Sequence, residues 1–263
     1  MAQNKRIGTL SLIWSGIKLN FLQSAWNFER LQNVGFLFSI HNMLRKIYSG
    51  DEAGKLAAIK RHMTFFNTHI FFSSAALGVM TRMEEDLSND DAKLKETEID
   101  NTKMGIMGPL AAIGDALFWS GIRPLALLFG AGIVWMTDFS FKGWIQASAV
   151  SLVVYNLPRF IIKYYLLLKS YYKYKELFVL IQKVKFQDIM KSLKAAGMGI
   201  LGVFMAVYLT RPELHITLKG GVLDIVLVIA AFLIITWALR SKKSVSNIFL
   251  GVLVISVLIS YLT

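Results

Sequence analysis

Two nearly uncharged stretches, residues 222–239 and 244–262, follow one another near the C-terminus with only the basic cluster Arg240, Lys242 and Lys243 between them. A helix rises about 1.5 Å per residue and needs roughly 20 apolar residues to cross the hydrocarbon core of a bilayer. Each stretch comes close to that length, and only Asp224, near an end, carries charge inside either. A buried soluble hairpin is the competing reading, but a small soluble domain rarely packs two such helices side by side. The pattern therefore predicts an all-α integral membrane protein. Composition agrees, since 55% of the 263 residues are hydrophobic, more than the roughly 45–50% of ordinary soluble domains.

The chain carries 29 Lys and Arg against 17 Asp and Glu, a net charge of +12. In a soluble protein such a balance points to nucleic acid. Here the basic residues gather beside apolar spans, as the positive-inside rule places cytoplasmic Lys and Arg. Residues 169–194 hold Lys169, Lys173, Lys175, Lys183, Lys185, Lys191 and Lys194 against only Glu176 and Asp188, with Tyr171, Tyr172 and Tyr174 at the start where an aromatic belt would lie. We expect lipid and protein partners, and no nucleic acid. Placing 169–194 and 240–243 in the cytoplasm puts the loop 210–221 and Thr263 outside. It puts the N-terminal third inside if 104–136 crosses once. Cysteine is absent, which excludes disulfides and thiolate chemistry. The N-terminus MAQNKRIGTLSLIW has neither a signal-peptide core nor a cleavage site, so internal spans are expected to drive insertion.

The first third reads as amphipathic. Leu10, Ile13, Trp14, Ile17, Phe21 and Phe28 recur at helical spacing, with Lys18, Glu29 and Arg30 away from them, which suits a helix at the membrane surface, against a partner subunit, or on its own chain. A turn is expected at Ser49-Gly50-Asp51 and another helix from about Glu52, leading into FNTHIFFSSAALGVM at 66–80. The polar run 84–103 reads as a solvated connection. Residues 104–136 are apolar and glycine-rich but interrupted by Pro109 and Pro124. The piece between the prolines is too short to span, so broken or re-entrant helices are expected here, with an ordinary proline-kinked span as the alternative. A further span is expected at about 144–168, with Pro158 and Arg159 inside it. Residues 197–209 read as half a broken helix or the end of a span arising from the lysine-rich region. We read residues 1–263 as one membrane domain, with 1–103 amphipathic or interfacial and 104–263 mainly embedded.

Three blocks carry a specific resemblance. FLQSAWNFERLQNVGF (21–36), FFNTHIFFSS (65–74) followed by MEE (83–85), and MGPLAAIGDALFWSGIRPLA (107–126) resemble, in order and spacing, the signature blocks of IID components of the mannose/fructose/sorbose branch of the bacterial sugar phosphotransferase system. Departures are Ile70 where the family commonly has proline, Ala112 where it often has glycine, and KSYYKYKELF (169–178) in place of a glycine-tyrosine region. The resemblance implies a multi-pass subunit of the bacterial inner membrane that pairs with a IIC subunit, as a trimer of IIC–IID heterodimers. It also implies service by cytoplasmic IIA and IIB phosphoryl carriers and import of a hexose that IIB phosphorylates. It implies no phosphoryl transfer on the IID chain itself.

The residue chemistry fits that division of labour. The four histidines are His41, His62, His69 and His215, and His69 stands among phenylalanines, where a buried hydrogen-bonded role is expected rather than phosphorylation. No closely spaced His/carboxylate cluster supports a metal, and no cofactor or catalytic constellation is expected. The candidate substrate-binding or translocation residues are Asn67, His69, Asp115, Trp119 and Arg123. Ionisable groups at membrane depth cost roughly 2.5–3.5 kcal/mol each on insertion scales, so Asp115 and Arg123 need partners or water. Asp115 suits bracing of the helix or a subunit contact, and a sugar hydroxyl as the lesser alternative. The competing function is a self-sufficient ion-coupled secondary transporter built on Asp115 and Arg123.

Overall fold

The computed structural model describes residues 6–89, 94–176, 185–210, 222–241 and 244–262. Residues 211–221, which include the expected outer loop and His215, lie outside them, as do Lys183, Lys242, Lys243 and Thr263. Regular structure among the described residues is helical, apart from isolated bridges pairing Leu31 with Asn27 and with Phe66.

In the first compact unit, residues 1–200, α1 spans Thr9–Lys18 and α2 spans Asn33–Ile47. Tyr48 to Gly50 form a turn, with Gly50 at φ 87°, a left-handed conformation that glycine adopts without Cβ strain. Asp51 then caps α3 (Glu52–His62), its side chain accepting a hydrogen bond from the Gly54 amide at 2.9 Å. Residues 63–72 form non-helical backbone before α4 (Ser73–Ser88).

The segment interrupted by two prolines is a continuous helical rod, not separate pieces. α5 (Glu96–Leu117) runs through a π-turn at Phe118–Ile122 into α6 (Arg123–Met136). Pro124 falls in the first turn of α6, where a missing N–H costs least; Pro109 is accommodated inside α5. The expected break takes the form of a wider helical turn, of the kind that absorbs irregularity without exposing backbone groups. Glu96–Met136 (41 residues) and Phe141–Tyr172 (32 residues) are long and apolar enough to cross a membrane. The second of these is α7, capped by Ser140, which accepts from the Gly143 amide at 3.1 Å. α8 spans Phe186–Thr210 and so continues the lysine-rich region.

α7 packs along both α4 and α6. A Cβ at Gly78 of α4 would collide with Ser170 Oγ and the Leu167 carbonyl of α7. The bare backbone there lets the helices approach closely, which is how membrane helices gain packing when lipid offers no hydrophobic drive. Across the other contact Ser151 Oγ donates to the Ala126 carbonyl at 3.0 Å. The core that results joins Leu12, Phe36, Ile40, Met43, Phe66, Leu77, Met80, Phe118 and Leu167.

One set of alternatives narrows and one expectation changes at this level. α1 buries Leu12, Ser15 and Gly16, whereas Leu10, Trp14 and Ile17, with Phe21 beyond its end, are exposed. Phe28 lies beyond α1 and is 92% exposed. Most of the apolar stripe therefore faces outward, and the bare backbone of Gly16 is what fits against Tyr164 and Leu167. The run 84–103 is not a uniformly solvated connection. Glu84, Glu85 and Asp86 are buried at the end of α4, and Ile99 and Lys103 are buried on α5; among the described residues of the run, Ser88, 95–98 and Asn101 are exposed.

The second unit, residues 201–263, contains the end of α8, then α9 (Val222–Arg240) and α10 (Val245–Leu262). The two helices coincide with the apolar stretches of the sequence. Described side chains including Phe232, Trp237, Phe249 and Ile255 are exposed.

Candidate functional site

The segment 63–72 lies against α5 through polar backbone contacts. Gln32 Oε1 accepts from the Thr68 amide at 3.0 Å, and Thr68 Oγ1 donates to the Met107 carbonyl at 3.1 Å. The Asn67 amide points at the Met107 sulfur, 3.3 Å away, and the residue itself is exposed. His69 is 3% exposed. Its ring stacks on Phe118 at 5.2 Å and 14° and meets Trp119 edge-on at 5.9 Å. Gly114 makes room for it, since a Cβ there would overlap the His69 side chain.

His69 Nδ1 accepts from the Phe71 amide at 3.4 Å, so the ring proton of the neutral imidazole sits on Nε2. That buried Nε2 has no partner among the described residues. A phosphoryl-accepting histidine needs access for its donor protein, and this one is enclosed by Phe71, Phe72, Phe118 and Trp119.

Asp115, Trp119 and Arg123 form a ladder on the exposed side of the same rod. Trp119 Nε1 donates to Asp115 Oδ1 at 3.1 Å, and the Arg123 guanidinium lies 5.2 Å from the Trp119 ring. An acid and a base eight residues apart on an ideal helix point about 80° apart. The π-turn between them rotates less per residue than an α-helix, and the indole bridges both. Four of the five candidates thus come together: His69 reaches the ladder from its buried side through Trp119. Asn67 stands two residues before His69 in the chain.

A second polar cluster braces the non-helical segment from behind. Glu84 accepts from Tyr48 at 2.6 Å, from Arg61 Nε at 2.9 Å and from His62 Nε2 at 2.9 Å. Arg61 also pairs with Glu96 at 2.7 Å, and Lys103 donates to the Arg61 carbonyl and to Thr64 Oγ1. Burial alone would raise the Glu84 carboxyl; the His62 hydrogen bond and the Arg61 charge more than offset it and hold its pKa at about 2. Burial pushes His62 below its ordinary value, against the pull of Glu84. The neutral ring donates through Nε2. Burial, and then the Glu84 charge, push the Tyr48 phenol well up, so it serves as a fixed donor. Nearby, Tyr171 donates to both Glu85 oxygens at 2.8 and 2.9 Å, and Tyr174 donates to Asp86 at 3.0 Å.

Sequence reasoning did not single out this cluster or the group Asn20, Arg159 and Lys163, in which both cations donate to Asn20 Oδ1. The signal available for the latter was a pair of basic residues one turn apart inside an apolar span.

Among the described residues the fold is helical, with two helices long and apolar enough to cross a membrane. Residues 9–263 match the family model for the phosphotransferase system mannose/fructose/sorbose family IID component. The mannose-specific EIID component of Escherichia coli K12 is 32% identical over 209 residues, covering 77% of this chain and 67% of that protein. The fructose permease IID component of Bacillus subtilis 168 is 27% identical, covering 98% and 97%. Among solved structures, a chain of the mannose transporter ManYZ in complex with microcin E492 superposes with a TM-score of 0.59 at 28% identity, covering 96% of each chain. The chain belongs to the mannose/fructose/sorbose family of phosphotransferase system IID components.

Proposed function

We propose that this chain is the IID half of a IIC–IID translocation unit, a multi-pass subunit of the bacterial inner membrane. It imports a hexose of the mannose, glucose or fructose type that a IIB carrier phosphorylates, and it is not itself catalytic. The observation that carries this reading is the family match over residues 9–263, together with likeness to a chain of the ManYZ mannose transporter. Residues 1–263 act as a single membrane domain. In it α1 lies at the membrane surface, residues 63–72 form the broken element, and α5 to α10 supply the embedded part. The lysine-rich residues around 169–194 and the basic cluster at 240–243 face the cytoplasm.

Within this reading the Asp115–Trp119–Arg123 ladder faces the IIC subunit. An exposed acid and base on a long apolar rod are too costly to leave against lipid, and a partner subunit or the wet sugar path offsets that cost. His69 and Asn67 extend the same surface inward toward the sugar path. The secondary-transporter reading is weaker, because Asp115 and Arg123 lie on an exposed face rather than in an enclosed path through this chain.

Co-expression with the cognate IIC subunit tests the assembly. We expect the two chains to co-purify in mild detergent at a mass matching three heterodimers. Purification of this chain as a monodisperse species that takes up no IIC would overturn the proposal.

A further inference from the structure

Two neighbouring cations on α7, Arg159 and Lys163, have no carboxylate partner among the described residues. Lys163 is 1% exposed, and its ammonium donates to Asn20 Oδ1 at 2.9 Å. Arg159, one turn earlier, donates to the same oxygen through Nη2 at 3.0 Å and to Asn156 Oδ1 through Nη1 at 3.0 Å. Arg159 Nε is buried without a hydrogen-bond partner among the described residues. None of the ion pairs among the described residues involves either cation. Two like charges converge on one neutral amide oxygen, an arrangement that an anion would relieve.

The position along the helix matters as much as the charge. Arg159 and Lys163 lie about 27 and 33 Å from Phe141 at a rise of about 1.5 Å per residue. The hydrocarbon core is roughly 30 Å thick. If α7 enters at its first turn, where Lys142 and the exposed Trp144 stand, the two cations reach the opposite headgroup layer. α1 packs beside this same end of α7, with Gly16 against Tyr164 and Leu167 and Thr9 Oγ1 2.9 Å from the Tyr172 hydroxyl. Around the pair, Phe21, Leu157, Phe160 and Ile161 are exposed. Apolar surface next to paired cations at headgroup depth matches a molecule with acyl chains and a phosphate.

We propose that Asn20, Arg159 and Lys163 form a binding site for the phosphate of an anionic phospholipid, with its acyl chains lying over Phe160 and Ile161. The phosphate oxygens take the hydrogen bonds that Asn20 Oδ1 now shares and satisfy Arg159 Nε. This site is independent of the sugar path and of the identity of the transported sugar.

The test uses the full chain, purified with its membrane partner and depleted of lipid. It is titrated with dioleoyl phosphatidylglycerol, with dioleoyl phosphatidylcholine as the zwitterionic control, and bound lipid is counted by native mass spectrometry. Phosphatidylglycerol should bind in preference, and Arg159→Gln and Lys163→Gln should each weaken it about fivefold. Asn20→Asp keeps both cations and supplies them with a carboxylate, so it should weaken lipid binding while leaving the thermal midpoint unchanged or raised. That variant keeps the proposal falsifiable if either cation variant fails to fold. Inorganic phosphate should compete only weakly. Phosphatidylglycerol binding indifferent to all three substitutions would overturn the site, as would equal binding of phosphatidylcholine. Tight binding of inorganic phosphate that lipid does not displace would assign the cations to a free anion instead, and would also overturn it.

Discussion

The Arg61 guanidinium on α3 meets the Glu84 carboxylate on α4 with both side chains almost fully buried, Nε standing 2.9 Å from Oε1. The same carboxylate takes hydrogen bonds from Tyr48 and His62, so the turn after α2, α3 and α4 are tied at one atom group directly behind the non-helical segment 63–72. Removing one member of a buried pair leaves the other charge uncompensated, at a cost of about 3–5 kcal/mol. Glu84→Gln should lower the thermal midpoint in detergent markedly, whereas Glu52→Gln, which breaks an exposed pair with Lys55, should be nearly silent.

The same cluster sets an acid response in two stages. His62 lies below its ordinary value of 6.5 in the folded chain, so the unfolded chain binds its proton first and stability falls as pH drops below about 6.5. Glu84 is held at about 2 against 4.5 unfolded. Its contribution is intact above about pH 4.5 and is lost as pH falls toward 2. Thermal midpoints measured from pH 8 to pH 3 should show both stages. His62→Gln should remove the upper one and shrink the lower, which keeps the Arg61 charge but loses the His62 ring beside Glu84.

Gly78 should tolerate no side chain. Gly78→Val must push α7 away from α4 at Ser170 and Leu167, and overpacking of this kind costs about 1–3 kcal/mol. Gly199→Ala on α8 meets nothing within 4 Å and should be neutral or stabilising by up to about 1 kcal/mol through helix propensity. Yield and thermal midpoint of the two variants read the contrast.

Trp119 should matter more for assembly than for folding. The indole bond to Asp115 and the Arg123 contact are exposed, each contributing about 1 kcal/mol or less to stability. Trp119→Leu should therefore barely move the thermal midpoint but weaken association with IIC about tenfold, as expected for an aromatic anchor. Trp119→Phe, which keeps a ring for Arg123, should fall between.

His69→Phe separates packing from chemistry at the enclosed ring. Phenylalanine preserves the stack on Phe118 and removes a buried donor with no partner among the described residues. Stability should hold or rise slightly. If Nε2–H serves the sugar path, uptake should fall at least about fivefold at unchanged expression.

What the sequence made legible follows from what each pattern encodes. The uncharged runs at 222–239 and 244–262 became helices because length and apolarity alone suffice. Asp51 and Gly50 marked a helix start and a turn through local chemistry. The stripe Leu10, Trp14, Ile17 was visible as periodic, yet its direction was not. Which side is buried depends on Gly16 fitting under Tyr164 and Leu167, residues about 150 positions away. Glu84 to Asp86 looked wet because their partners Tyr48, Arg61, Tyr171 and Tyr174 are remote in sequence. The π-turn at Phe118–Ile122 left no compositional trace apart from the neighbouring Pro124. Among the candidate residues, charge in an apolar run identified Asp115 and Arg123, and aromatic character alone brought in Trp119; only the structure showed the indole bridging the two charges.

The central claim is that this chain transports sugar only as part of a phosphotransferase complex. The most direct test is uptake of radiolabelled mannose, glucose and fructose in cells expressing this chain with and without its cognate IIC subunit, the soluble phosphoryl carriers being present in both. We predict uptake that requires both membrane chains and phosphoenolpyruvate, with the sugar recovered as its phosphate. Robust uptake by this chain alone, indifferent to phosphoenolpyruvate and yielding unmodified sugar, would contradict the account.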